Sequence, residues 1–211
     1  EELQTVEQEM KRAAVWGGSG FIGTHLCHRL VNEGYEVTVY DRQMPQFGWA
    51  PAHRYHICDL RDTETFALHF AASIYDELYQ LAAEMGGAGY VFIGDHDANI
   101  LASSAQINLN AAKLALSSAS EPKVFFASSA CVYESIDSRY QNAACREDEG
   151  INPDSDYGLE KLFAEKLYDA YHRNHGLDVR IGRFHNIFGP FGTWKGGREK
   201  APAALCRKIA E

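Results

Sequence analysis

Gly17, Gly20 and Gly23 recur at every third position between an apolar run and an amphipathic stretch, and they constrain this chain more than any other feature. The residues before them, Ala13-Ala14-Val15-Trp16, read as a short buried strand. Those after them, through about Glu33, read as a helix halted at Asn32-Glu33-Gly34. In a strand, glycine turn and helix of this kind, the first glycine permits the tight turn. The second lets a ligand's phosphates reach the backbone, and the third packs helix on strand. The helix start, with the N–H groups of Phe21, Ile22 and Gly23, then faces the phosphates of a dinucleotide.

Further strands follow at intervals that suit a parallel sheet. Glu36-Val37-Thr38-Val39-Tyr40 ends at Asp41, about 20 residues past the turn, where an acid suits a ribose 2′-hydroxyl and repels a 2′-phosphate. NAD is favoured over NADP on that ground, although Arg42 keeps the second open, and a solvated strand-end acid is the bland reading of Asp41. Tyr55-His56-Ile57-Cys58 ends at Asp59, which suits either a base contact or the cap of the next helix. Glu77-Leu78-Tyr79-Gln80-Leu81 runs into Ala82-Ala83-Glu84-Met85-Gly86-Gly87, where small residues let a ligand lie close to the backbone. A long Ala- and Ser-rich helix is expected from about Asp97 to Ser118.

The chemistry concentrates in two stretches. Phe125-Phe126-Ala127-Ser128-Ser129 reads as a buried strand delivering hydroxyls to its carboxyl end, where ligands of open α/β sheets bind. Tyr157 and Lys161 then fall on one face of a helix expected to reach about His175. A lysine ammonium beside a phenol favours the phenolate. Tyr157 is thereby suited to take a hydroxyl proton while a nicotinamide takes the hydride. A last strand, Asp178 to Arg183, leads through Phe184-His185-Asn186 to a glycine- and lysine-rich loop and a helix from Ala201 to Glu211.

Ser129, Tyr157 and Lys161, in this order behind the glycine turn, resemble the extended short-chain dehydrogenase/reductases, the NAD-dependent epimerases and dehydratases. The runs Ser128-Ser129-Ala130-Cys131-Val132-Tyr133, Met85-Gly86-Gly87 and Arg183-Phe184-His185-Asn186, with Lys200-Ala201-Pro202-Ala203-Ala204, are similar to the GDP-mannose 3,5-epimerases within that family. The resemblance implies a doubly wound Rossmann sheet that binds NAD through Gly17, Gly20, Phe21, Ile22, Gly23, Asp41, Asp59, Tyr157 and Lys161. It implies transient oxidation at carbon 4 of a GDP-hexose by Tyr157, Lys161 and Ser129. Cys131 and Lys200 would then exchange protons at carbons 3 and 5. Gly86, Ser129, Cys131, Asn186, Glu199 and Lys200 match its sugar-contacting positions.

Departures are Trp16 where threonine is usual, Val132 for isoleucine, Glu134 for proline, a shorter loop before Tyr157, and Ser103-Ser104 where an asparagine is usual. Members also continue past the position of Glu211 into a smaller substrate domain, here largely absent. The chain accordingly divides into a leader, 1–12, a Rossmann domain, 13–190, and the start of a substrate portion, 191–211. A homodimer through the helices of Asp97 and Tyr157 is the family's habit.

Each assignment has a plainer competitor. Cys131 reads also as a small packing residue, Lys200 as a solvated loop cation, and His185 as a strand-end histidine packed under the loop. Trp194 either covers the sugar or closes the loop. A 4-epimerase or a 4,6-dehydratase on another nucleotide sugar shares Ser129, Tyr157 and Lys161, but it needs no Cys131–Lys200 pair. The Asp-Glu pair usual in 4,6-dehydratases is missing at Ala130-Cys131. A non-catalytic NAD-binding regulatory protein would have no need of the Ser, Tyr and Lys together.

The charge of −9 argues against a nucleic-acid surface. Five cysteines, odd in number and without metal-ligand spacing, read as reduced thiols of a cytoplasmic protein. No apolar run approaches membrane-spanning length, and Glu1-Glu2 does not open a signal-peptide pattern.

Overall fold

The computed structural model describes residues 10–46, 49–71, 73–134, 145–148 and 150–211. The expected leader helix with Leu3 and Val6 falls outside them, as do 135–144 and 149 of the loop before Tyr157. Six strands, β1 (Arg12–Trp16), β2 (Glu36–Asp41), β3 (Arg54–Ile57), β4 (Glu77–Gln80), β5 (Lys123–Ser129) and β6 (Val179–Phe184), form one sheet. Its order is β3-β2-β1-β4-β5-β6 and every pairing is parallel. This is the doubly wound Rossmann arrangement, with its switch point between β1 and β4.

Period-2 alternation along β1 divides the core into two layers. Ala13 and Val15 join Val37 and Val39 under α1 (Phe21–Asn32), which contributes Cys27 and Leu30. Ala14 and Trp16 point the other way, with Tyr40, Leu78, Val124 and Phe126, toward α2 (Thr63–Phe70), α4 (Asp97–Ser117) and α5 (Asp156–His175). Trp16 is fully buried there and meets Phe66 edge-on at 5.1 Å and Phe70 at 5.5 Å. An indole in place of the usual threonine is accommodated by two aromatic rings from α2.

Helix boundaries follow local chemistry. Asp62 caps α2 by accepting from the N–H groups of Glu64 and Thr65. The capping alternative for Asp59 is therefore corrected: its carboxylate is filled by the backbone and guanidinium of Arg61. Ser155 caps α5 through the Gly158 N–H, and Gly176, at φ +76°, ends it in the left-handed conformation that glycine adopts most easily. A four-residue helix, α3 (Ala88–Val91), follows β4, and α6 (Ala201–Ala210) closes the described chain with no buried residue. No helix among the described residues is long and apolar enough to cross a membrane.

Candidate active site

The glycine turn is built for close approach. Gly17 has φ +84°, and a Cβ there would come within 2.8 Å of the Ala82 amide at the end of β4. A Cβ on Gly23 would collide with the Gly17 carbonyl oxygen. Helix α1 starts after Gly20 with no side-chain cap, so its first N–H groups stay available to an anion. Ser19 Oγ is buried at the same place without a hydrogen-bond partner among the described residues. Asp41 reaches the rim of the turn, its Oδ2 accepting from the Ser19 N–H at 3.0 Å. Burial raises the Asp41 carboxyl above its ordinary range, opposed by the N–H groups of Ser19, Gln43 and Arg42. A cradle that a Cβ would fill, an open helix start and a nearby acid fit a dinucleotide. Asp59 lies past β3, held by Arg61; that hydrogen bond is the main cause of its lowered pKa.

Ser129, Cys131, Tyr157 and Lys161 converge where β5 ends and α5 begins. Ser128 and Ser129 do different work. Ser128 lies on the face of Val124 and Phe126, and its hydroxyl donates to Glu165 Oε1 at 2.5 Å. Arg183 grips the same carboxylate with Nε at 2.9 Å and Nη2 at 2.7 Å, tying β6 to α5. Ser129 instead caps a 3-10 turn, Ala130–Val132, by accepting from the Cys131 N–H at 3.2 Å. The turn presents Cys131, partly buried, to an apolar cluster of Tyr90, Val91, Ile100 and Tyr157. Lys161 is 3% exposed, with its Nζ 5.8 Å from the Tyr157 ring centre and 5.3 Å from that of Phe126.

Burying that ammonium needs a counter-charge. Glu160, itself 1% exposed, brings Oε2 to 3.5 Å from Lys161 Nζ. Oε2 has no hydrogen bond among the described residues, while Oε1 accepts from Asn108 at 3.0 Å. Asn108 accepts in turn from Gln80 at 3.0 Å, so a polar chain runs from β4 through α4 to the lysine. Ser104, where an asparagine is usual, holds the Glu84 N–H at 3.0 Å.

The third group meets this one from the far end of the chain. The Gly87 N–H donates to the Arg198 carbonyl at 2.9 Å, and a Cβ on Gly87 would overlap the Glu199 carbonyl oxygen. A Cβ on Gly86 would lie 2.8 Å from that of Tyr90. The chain's own atoms therefore demand both glycines. Glu199 is folded back on its loop, with Oε2 accepting from the Gly197 N–H at 2.7 Å. Lys200 is partly buried as the N-cap residue of α6.

Asn186 is exposed and makes no hydrogen bond among the described residues. It lies two residues beyond Phe184, the register partner of Ser129. His185 is exposed rather than packed under the loop, because β6 ends at Phe184 and releases the chain. Trp194 is 43% exposed, with Lys195 over its ring at 4.7 Å. The sequence reading missed Glu160, Glu165, Asn108 and Glu84. Polar residues inside otherwise helical or strand patterns were the available signal.

A parallel Rossmann sheet with Ser, Tyr and Lys at the end of β5 and the start of α5 defines the class. Residues 13–211 match the model of the NAD dependent epimerase/dehydratase family, and the chain belongs to that family. It is 39% identical over 204 residues to GDP-mannose 3,5-epimerase 1 of Oryza sativa subsp. indica, covering 95% of this chain and 53% of that protein. The GDP-mannose 3,5-epimerase of Arabidopsis thaliana is 38% identical over 205 residues, with the same coverage. The UDP-glucose 4-epimerase of Thermus thermophilus, solved in complex with NAD, superposes with a TM-score of 0.78 at 25% identity. That match covers 95% of this chain and 61% of that one. The chain spans about half the length of the curated relatives it matches.

Proposed function

We propose that this chain is the cofactor-binding and catalytic portion of a nucleotide-sugar epimerase acting at carbons 3 and 5 of a GDP-hexose. The observation that carries the reading is Cys131 packed against the apolar cluster that contains Tyr157, on a turn capped by Ser129. A 4-epimerase needs no thiol there. The similarity to the rice and Arabidopsis enzymes, 39% and 38%, supports the same reaction.

Gly17, Gly20, Phe21, Ile22 and Gly23 hold the NAD pyrophosphate by backbone, Asp41 takes the ribose hydroxyls, and Asp59 lies on the adenine side. When bound, NAD supplies a reversible hydride acceptor for the carbon-4 alcohol. Tyr157 removes the hydroxyl proton and later returns it. Lys161 favours the phenolate through its charge, and Ser129 hydrogen-bonds the reacting oxygen. A ketone at carbon 4 acidifies the hydrogens on carbons 3 and 5. Cys131 and Lys200 then act from opposite faces, one taking a proton and the other delivering one. Gly86, Asn186 and Glu199 line the sugar. Leu159 and Phe163, one turn apart on α5, are exposed and suit a homodimer through α4 and α5.

The test is proton NMR of GDP-mannose with the protein and NAD in heavy water. Loss of the carbon-3 and carbon-5 signals is the expected result. Exchange at neither carbon, with NAD bound, would overturn the reading. Cys131→Ala and Lys200→Ala then divide the two proton transfers.

A further inference from the structure

Glu84 has no part in the reaction described above, yet its carboxylate holds three side chains beside the site. Only 11% of its side chain is exposed. Its own N–H is tied to Ser104 on α4, so the residue is fixed from a rigid element. Oε1 accepts from the Tyr90 hydroxyl at 2.8 Å and from Arg198 Nη2 at 3.1 Å. Oε2 lies 3.4 Å from Arg42 Nη1, beside the acid at the end of β2. Arg198 also stacks on the Tyr90 ring, with its guanidinium carbon 3.9 Å from the centre. The same residue's carbonyl receives the Gly87 N–H. Arg198 is thus fixed by side chain and backbone together, and Glu199 and Lys200 follow it directly.

An isolated surface ion pair contributes little. A carboxylate that is nearly buried, hydrogen-bonded to a phenol and paired with a stacked guanidinium belongs to a network in which each member orients the next. We propose that Glu84 is a positioning residue for the substrate loop. Through Arg198 and Tyr90 it seats the backbone of Arg198 and Glu199 on Gly87, and so sets where Lys200 begins α6. The role of Lys200 in this inference rests on the function proposed above. The clamp itself does not.

Amide hydrogen exchange reads the clamp without any turnover. In E84Q, which keeps shape and hydrogen-bonding capacity but loses the charge, amides over 195–204 are expected to exchange about tenfold faster than in the parent. Amides of β1 and β2 are expected to stay unchanged. R42Q, which removes the other cation from Glu84, is expected to leave the loop as in the parent. Arg198→Met, at a 42% exposed side chain, gives the same readout should E84Q not fold, and is expected to match its loss. The double variant is expected to be no worse than either single one, the signature of residues acting as a unit.

On GDP-mannose, E84Q is expected to lower carbon-3 and carbon-5 exchange about tenfold with NAD affinity within about twofold of the parent. Loop protection equal to the parent's in both E84Q and Arg198→Met, or lost equally in R42Q, would overturn the clamp. A parent that exchanges no sugar hydrogens yet loses loop protection in E84Q would leave the clamp standing and remove the proposed reaction.

Discussion

The α-carbon of Gly158 lies so close to the Cys131 carbonyl oxygen that a Cβ on residue 158 would occupy the same space. Glycine after Tyr157 is what allows the first turn of α5 to abut the 3-10 turn, so that phenol and thiol share one cluster. Gly158→Ala must push that turn away. The N–H of the same residue is also the one capped by Ser155. The expected result is a loss of about 1–3 kcal/mol in stability, as for overpacking elsewhere. Turnover should fall more than NAD affinity. Thermal unfolding and NAD titration of the variant check both, and a parent-like melting curve with parent-like turnover would show that the turn yields freely.

Lys161 depends on Glu160 in an equally direct way. The two are 3% and 1% exposed, and among the described residues the carboxylate is the one anion that pairs with the ammonium. Removing one member of a buried pair strands the other, at about 3–5 kcal/mol. Glu160→Ala is therefore expected to lose that much in denaturant unfolding. Glu160→Gln should lose less, since its amide oxygen still accepts from Asn108. A Glu160→Gln variant as stable as the parent would mean that the charge of Glu160 is immaterial to Lys161.

Much of this arrangement was legible in the order of residues, and the reasons are physical. Glycines at 17, 20 and 23 have no substitute in a turn this tight, and apolar runs at β1, β2 and β5 can only be buried strands. Tyr157 and Lys161 share a helical face by spacing alone. Glu160 and Glu165 were not legible as structural partners, because an acid in a helix ordinarily faces water. Only the packing of α5 between sheet and α4 makes them interior. Asp59 read as a cap for the next helix, but Arg61 takes up its carboxylate and Asp62, three residues on, caps α2 instead.

Asp41 predicts a pH dependence of cofactor binding. Burial is the main influence and raises its carboxyl above the ordinary value, despite the N–H groups of Ser19, Gln43 and Arg42. With Asp41 on the ribose as proposed above, the ribose hydroxyls would donate to the carboxylate form, so NAD would favour the deprotonated acid and its binding would release protons. Affinity is thus full above the raised pKa and falls as pH drops through it. Titrating NAD from about pH 7.5 down to about pH 4.5, across and above the ordinary carboxylate range, should show that decline. In Asp41→Asn affinity should be weaker throughout and flat. A parent profile as flat as the variant's would remove Asp41 from the ribose.

The five thiols should separate by reactivity. Burial pushes Cys27 up to about 12 and, together with the acids Asp41, Asp59 and Asp62, Cys58 up to about 11. A thiolate is the reacting species, so both are inert near neutral pH while the protein stays folded. Cys145 and Cys206 are exposed and should react first with a chromogenic disulfide. Cys131, partly buried on the 3-10 turn against the cluster of Tyr157, should follow more slowly. Native protein should therefore titrate two fast thiols and one slow one, rising to five in denaturant. In Cys131→Ala the slow phase alone should vanish. If GDP-mannose with NAD protects the slow thiol and leaves the fast pair untouched, Cys131 faces the sugar. Protection of none would place the sugar elsewhere.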